Sequence, residues 1–360
     1  MNGMTVGLLY SRIRHDEKLL LSALRERGHT VEKIDVRDQC FGLSEPPSAF
    51  EEVDVLVDRC LATSRSTYVT RFAEAYGIPV VNSAETAQVC ADKVQTSLAL
   101  ERAGVPTPET TVAFTPESAL EAVEAFGYPC VLKPVVGSWG RLLAKVESRS
   151  AAEAILEHKA TLGHYEHSVF YVQEFVDKPG RDIRIVALDG EIVAGMVRSS
   201  DHWVTNAAAG AETAAFEGDD QVHELVARAS DAVGGGLLGV DLMEVGTDGE
   251  STEYTVHEIN HTVEFKALNE TVPVDVPGAV VKWLESVVAA AESDSNSGEA
   301  ETFDTETDAL DTGTETFETE TDALGAETET LDTKTDAFGT GSTTSEAETL
   351  TPDTAEGGGD

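Results

Sequence analysis

Apolar and polar positions alternate along the first 290 residues in two rhythms. Short apolar runs at Thr5–Tyr10, Thr30–Val36, Val53–Asp58 and Ile78–Val81 read as strands. Between them, His15–Arg27 carries Leu19, Leu20, Ala23 and Leu24 at helical spacing and stops at Gly28, and Ser66–Tyr76 reads as a second helix. Short apolar strands alternating with helices predict a parallel, doubly wound α/β domain over residues 1–82. It holds neither GxGxxG nor GxxxxGK[ST], so it is not an obvious nucleotide domain in its own right.

The pattern then changes. Asn82-Ser83 is placed to cap a helix running through Lys93 to about Arg102, which stops at Gly104 before Pro106 and Pro108. Strand Thr110–Phe114, a helix over Pro116–Phe126 capped by Thr115, and a strand of Val and Leu ending at Lys133 follow. After Lys133 comes the glycine-containing loop Val135-Val136-Gly137-Ser138-Trp139-Gly140-Arg141, of a kind whose backbone N–H groups can cover phosphates. A helix over Ser150–Gly163 leads to an apolar strand that ends in Gln173-Glu174. Two hairpins then flank a helix at Asp219–Val233: Ile183–Leu188 with Ile192–Arg198 about Asp189-Gly190, and Leu237–Val245 with Tyr254–Ile259 about Gly246–Gly249. Residues 199–215 are too rich in Ala and Gly to assign, and Pro277–Ala290 is the last helix. The expected division is 1–82, 83–176, 177–290 and a tail at 291–360.

Charge changes the picture most in that tail. The chain has 25 Lys and Arg against 66 Asp and Glu, a formal charge of −41. Residues 292–360 hold 21 of the acids and one Lys, a net −20, which leaves −21 on the first 291 residues. Such a surface repels nucleic acid and anionic membranes, and it resembles the surfaces of proteins from salt-loving organisms, where cations screen the self-repulsion. Within the tail, three 14-residue units begin at Phe303, Phe317 and Leu331, each with Thr-x-Thr-Asp-Ala-Leu/Phe at its third position. One large apolar residue in roughly seven cannot bury enough surface to offset ordering, so this stretch reads as a disordered acidic repeat with no catalytic part. Elsewhere, no apolar run approaches the roughly 20 residues of a bilayer span. Cys40, Cys60, Cys90 and Cys130 are far apart and read as buried thiols. A soluble, cytoplasmic protein is expected.

The candidate chemistry lies on the last hairpin. Glu258 and Asn260 share one face of a strand, and Asp241 sits among Leu, Val and Met on the adjacent one. A carboxylate in that setting calls for a positive charge between the strands, and hard oxygen ligands in twos and threes suit Mg²⁺. Taken alone, the same residues read equally as the polar face of a half-buried sheet. His261 falls on the opposite face and reads as structural. His202 and Trp203 read equally as a substrate wall or as packing, and Lys266 reads as a carboxylate partner rather than a base.

Taken together, Lys93 on a helix, Leu-Lys-Pro at Lys133, the 136–141 loop, Gln-Glu-Phe-Val at 173–176, Gly-Arg-Asp-Ile-Arg at 180–184, Asp241 and His-Glu-Ile-Asn at 257–260 resemble the RimK-like ATP-grasp ligases. The sequences SDHWVTN at 200–206 and NHTVEFK at 260–266 are similar to its LysX/ArgX branch, which joins an amino acid to the C-terminal glutamate of the small acidic carrier protein LysW. The resemblance spans residues 4–290 and implies an ATP-grasp fold, in which an N-terminal parallel α/β domain precedes two α+β subdomains that clamp ATP. It implies that Lys93 and Lys133 contact ATP and that Gly137, Ser138, Trp139, Gly140 and Arg141 close over it. Gln173, Glu174, Phe175 and Val176 would form the adenine hinge, with Asp182 near the ribose and Arg184 in the same nucleotide site. Arg198 and Asn206 would reach the phosphates or an acyl phosphate, and Asp241, Glu258 and Asn260 would hold Mg²⁺. Relatives of this kind are commonly dimers or tetramers.

In that branch, Asn followed by Ser or Thr after Glu-Phe-Lys goes with α-aminoadipate and lysine biosynthesis, and Gly-Phe goes with glutamate and arginine biosynthesis. This chain has Ala267-Leu268, small then large-apolar, which favours glutamate. The alternatives are α-aminoadipate, use of both amino acids, and a RimK-type ligase adding glutamate to a protein C-terminus. A non-enzymatic ATP sensor would need no complete Asp241, Glu258 and Asn260 set. An acidic carrier meeting an acidic enzyme calls for a local basic patch, for which Arg59, Arg65 and Arg71 are the candidates.

Overall fold

The structure, a computed structural model, describes residues 3–137, 142–162, 168–200, 203, 205, 212–246 and 252–298. The chain divides into units Met1–Thr302 and Phe303–Asp360, and every described residue lies in the first. The expected acidic repeat falls outside the described residues.

The four apolar runs at the start form one parallel sheet. Its strands are β1 (Thr5–Tyr10), β2 (Thr30–Asp35), β3 (Val55–Arg59) and β4 (Val80–Val81), in the order β2-β1-β3-β4. Helix α1 (His15–Glu26) returns β1 to β2, and α2 (Thr63–Ala75) returns β3 to β4. The chain therefore leaves β1 toward one edge and later fills the other, so the crevice between β1 and β3 is the switch point at which such sheets bind ligands, outside the carboxyl ends of their strands.

A single helix through Lys93 does not form. Helices α3 (Ala84–Ala91) and α4 (Lys93–Arg102) are separated by Asp92, which has extended backbone and whose Oδ1 accepts N–H bonds from Val94 at 2.8 Å and Gln95 at 3.2 Å. A short acidic side chain satisfying the open N–H groups ends one helix and starts the next. Lys93 thereby becomes the first residue of a helix.

Two antiparallel sheets follow. The first, in the order β5-β8-β6-β7, contains β5 (Thr110–Ala113), β6 (Cys130–Lys133), β7 (Ala144–Val146) and β8 (Phe170–Glu174), and packs against α5 (Pro116–Phe126) and α6 (Arg149–Leu162). Thr115 caps α5 as expected, accepting the Ser118 N–H at 3.1 Å. The second has the order β11-β10-β9-β12-β13, from β9 (Arg181–Leu188), β10 (Glu191–Ser199), β11 (Glu212–Phe216), β12 (Leu237–Val245) and β13 (Glu253–Asn260). Strand β11 lies in the stretch too small-residue-rich to assign; its pairing along β10 supplies what its composition does not.

Period-2 alternation along β9 buries both faces of this second sheet. Ile183, Ile185 and Ala187 join the core with α7 (Asp220–Ala232), Leu100 of α4 and Val105. Val186 and Leu188 face the other way, into a core shared with α1, α8 (Lys266–Thr271) and α9 (Val276–Gly298). The chain thus closes on its own beginning, and each large aliphatic side chain buried there contributes about 1.5–3 kcal/mol. Gly236, at φ +99°, leads into β12; a Cβ there would lie 2.3 Å from Oδ1 of Asn82. That Asn82 side chain accepts from Leu237 N and donates to Leu237 O and His261 O, tying the parallel sheet to the start of β12 and the end of β13. No helix among the described residues is long and apolar enough to cross a membrane.

Candidate active site

The three sheets enclose a cavity of about 1030 Å³. Its described lining includes nine Lys or Arg and six Asp or Glu, the reverse of the chain's balance of 25 to 66. A cavity that concentrates positive charge inside an acidic protein is built for anionic ligands.

Its floor is the β12–β13 hairpin. Asp241 pairs with Glu258 in register, and Asn260 stands opposite Gly239 two residues on. The ladder then slips, Leu242 pairing with Val256, so His257 is an extra residue in β13. This β-bulge is why His257 and Glu258, consecutive in sequence, both line the cavity where strict alternation would part them. Sequence alternation places Asp241, Glu258 and Asn260 correctly and misses His257, because a bulge leaves no signature in composition.

Each carboxylate of the floor is held by a cation. Asp241 takes both Nε and Nη2 of Arg184 and, at 3.1 Å, Nη2 of Arg198. Arg198 Nε donates to Asp182 at 2.6 Å, and Thr205 donates its hydroxyl to the other Asp182 oxygen. Burial alone would raise both acids. For Asp241 the charges of Arg184 and Arg198 outweigh it and hold the pKa low, whereas burial and the nearby Asp241 charge leave Asp182 raised despite Arg198. Lys93 Nζ lies 3.1 Å from Glu258 and donates to the Gly137 carbonyl at 2.7 Å. Lys133, 3 % exposed, lies 3.2 Å from Nδ1 of His257. Burial pulls its pKa down to about 7, and the Lys93 charge works in the same direction against Glu258. Burial beside these lysines also lowers His257, which is therefore a neutral ring.

Gln173, Glu174, Phe175 and Val176, expected to form the adenine hinge, line the same cavity. The Gln173 amide donates to Thr110 Oγ1 at 2.9 Å and to the Tyr171 hydroxyl at 3.0 Å, and Glu174 Oε1 accepts the Glu109 N–H at 2.9 Å, so both side chains are fixed. Lys145 Nζ sits 4.5 Å over the Phe175 ring, and Trp203, which packs against that ring at 6.3 Å centroid to centroid, also lines the cavity. Ser138, Trp139, Gly140, Arg141, His202 and Asn206 lie outside the described residues.

The far wall belongs to the parallel sheet. The segments after β1 and β3, with Arg12 and Arg14 before α1 and Arg65 in the first turn of α2, line the cavity together with residues of the 260–267 stretch. Ala267 lines it, but Leu268 is fully buried in the core between α1 and α9, so only the first of the two proposed specificity residues can touch a ligand. Asp16 accepts the N–H groups of Phe265 and Lys266 at 2.8 and 2.9 Å and so caps α8 from a distance of 250 residues, which no local pattern could announce. His261 Nε2 lies 3.0 Å from Ser66 Oγ, which bonds to Asp58, consistent with a structural role. Lys266 Nζ is 3.9 Å from Glu270, the carboxylate partnership expected of it. Arg59 is fully buried against Glu17 and cannot form a surface patch, and Cys40, expected to be buried, is exposed. The loops after β1 were legible in principle, from the switch-point rule for parallel sheets.

The donor set of Asp241, Glu258 and Asn260 fits Mg²⁺: two carboxylates in cross-strand register and an amide oxygen, with charges now offset by guanidinium and ammonium groups.

Comparison with known proteins bears on the whole arrangement. Residues 6–89 match the model of the LysX preATP-grasp domain, and residues 90–284 that of the RimK-like ATP-grasp domain. The chain is 30 % identical over 289 residues to the glutamate–LysW ligase ArgX of Sulfolobus acidocaldarius, covering 79 % of this chain and 99 % of the relative. It is 34 % identical over 254 residues to the alpha-aminoadipate–LysW ligase LysX of Saccharolobus solfataricus, covering 70 % and 90 %. The crystal structure of a RimK domain ATP-grasp protein from Sphaerobacter thermophilus superposes with a TM-score of 0.65 at 30 % identity, covering 78 % of this chain and 98 % of that one.

Proposed function

The chain belongs to the RimK-like ATP-grasp family, and from that premise we propose that it joins the amino group of glutamate to the side-chain carboxylate of the C-terminal glutamate of a LysW-type carrier protein. The carrying observation is the cavity floor, where Lys93, Lys133, Arg184 and Arg198 converge on Asp241 and Glu258 below the hinge.

The carrier carboxylate attacks the γ-phosphorus of ATP, the bond to the ADP oxygen breaks, and an acyl phosphate forms. The amine nitrogen then attacks the acyl carbon, phosphate leaves, and the amine gives up a proton. Little covalent work falls to the protein; its task is to hold the groups in line and offset charge. Asp241, Glu258 and Asn260 would hold Mg²⁺, which supplies charge neutralisation at the phosphates. Lys93 and Lys133 would meet the triphosphate, and Arg198, held by Asp182 and Asp241, would stabilise the oxyanion that develops as the amine attacks. No serine or cysteine nucleophile is required.

Glutamate rather than α-aminoadipate rests on Ala267, a lining residue with no hydrogen-bonding side chain. Relatives named for either amino acid stand at similar identity. The test is ADP release in molar KCl with Mg²⁺, carrier protein, and each amino acid separately. Carrier-dependent turnover with glutamate alone supports the reading; turnover with α-aminoadipate alone reassigns the substrate, and none with either removes the function.

A further inference from the structure

We propose that Arg12 and Arg65 form the site that recognises the carboxylates of the free acidic amino acid, a role that rests on the ligase reading above. The cations of the cavity differ in their partners. Arg14, Lys93, Arg184 and Arg198 are each committed to carboxylates of the protein. Arg12 and Arg65 line the same cavity and make no ion pair among the described residues; nor do Lys133, which sits beside His257, and Lys178, which donates to the Arg181 carbonyl and to Thr205. About half of the described cations make no ion pair, so what sets these two apart is their place in the fold.

Their position has its own logic. Arg12 follows β1 and Arg65 lies in the first turn of α2, just after β3, the two strands that flank the switch point of the parallel sheet. The segments that carry them line the cavity alongside Thr262, Lys266 and Ala267, a stretch bonded to the parallel domain through Asp16 and Ser66. The Thr262 hydroxyl is buried there with no hydrogen-bond partner among the described residues.

The chemistry of the substrate matches. An amino acid such as glutamate brings two carboxylates, and neither reacts; only its amine does. Both charges need partners away from the phosphates, whose cations are already engaged. Two arginines, each able to bind a carboxylate through two parallel N–H bonds, meet that need and leave the amine directed toward the floor. The carrier's C-terminal glutamate presents the same chemistry, so the experiment must separate the two sources.

The full-length enzyme carrying Arg12→Gln, Arg65→Gln or both is assayed in molar KCl, with KM measured separately for glutamate, carrier and ATP. Each single change is expected to raise KM for glutamate by roughly tenfold or more, as the loss of a charge-assisted bond does. At saturation kcat stays within about twofold, since the contact is made equally before and during reaction. Preference for glutamate over glutamine narrows, Arg65→Lys recovers part of it, and KM for ATP does not move. A raised KM for carrier with unchanged KM for glutamate, or no change in either, overturns the proposal while leaving the ligase intact. Absence of turnover in the unaltered enzyme would instead remove the ligase reading, and calorimetric titration of glutamate into the unaltered and double-variant proteins then decides: equal binding, or none to either, refutes the arginine site.

Discussion

Arg59 and Glu17 meet in the interior, Nε and Nη2 of the arginine each 3.1 Å from Oε1, with neither side chain reaching solvent. The same guanidinium donates Nη1 to the carbonyl of Val263 at 2.9 Å and lies 5.5 Å from the centre of the Phe265 ring. A contact between α1 and the end of β3 thus fixes the loop that follows β13. Replacing Arg59 with Met is expected to cost about 3 kcal/mol, because it leaves a buried carboxylate with one cation fewer. Denaturant unfolding in molar KCl checks this, and the double variant Glu17→Gln/Arg59→Met should lose less than the sum of the two single changes.

ATP binding should take up a proton at Lys133. With its pKa near 7 in the free protein, this ammonium is largely neutral at pH 8, and triphosphate favours the charged form. Below pH 7 the group is charged before and after binding, and affinity is flat. Above it, affinity falls by about tenfold per pH unit until the pKa of the complex is reached. Calorimetry in buffers of differing ionisation enthalpy measures the uptake, and Lys133→Met should abolish it.

Glu258 is partly exposed and held by Lys93, so Glu258→Gln should fold normally. Loss of one charge from the floor is expected to slow ADP formation by about 10²–10³, as removal of one preorganised charge-stabilising group does. Rescue by raised Mg²⁺ distinguishes a ligand role from a packing role.

Ala267 and Leu268 should behave differently although they are neighbours. Ala267→Asn is expected to shift the preference between glutamate and α-aminoadipate by about 1–3 kcal/mol, read as the ratio of kcat/KM values, with little effect on stability. Leu268→Ala should cost about 2–5 kcal/mol of stability, measured by denaturant unfolding, with no direct change in preference.

Salt should act on folding as well as on turnover. A net −21 on the first 291 residues predicts a melting temperature that rises steeply with KCl and levels off near molar concentration. Full stability in dilute buffer would refute salt adaptation.

Much of the fold was legible because its strands are short, apolar and separated by helices with clear caps. Thr115, Gly28 and the Asp189-Gly190 turn announce themselves locally. The floor was legible too, since Asp241, Glu258 and Asn260 need only period-2 alternation and one hairpin. What escaped depends on contacts distant in sequence. Asp92 divides a helix that residue spacing runs together, His257 enters through a slipped ladder, and α8 takes its cap from Asp16. Arg59, a charged residue at a strand end, gave no hint that it was interior, because its partner is 42 residues away in the chain.

The clamp on residues 260–266 also bears on ancestry. Glu17, Arg59, Asp16, Ser66 and Asn82 all come from the first 82 residues, yet they hold a segment near residue 263. A chimera joined near residue 90 would part that segment from its holders, whereas one that carries both pieces together keeps them matched. The heritable module here is discontinuous: recombination among relatives can exchange this cavity wall only as two fragments inherited in step.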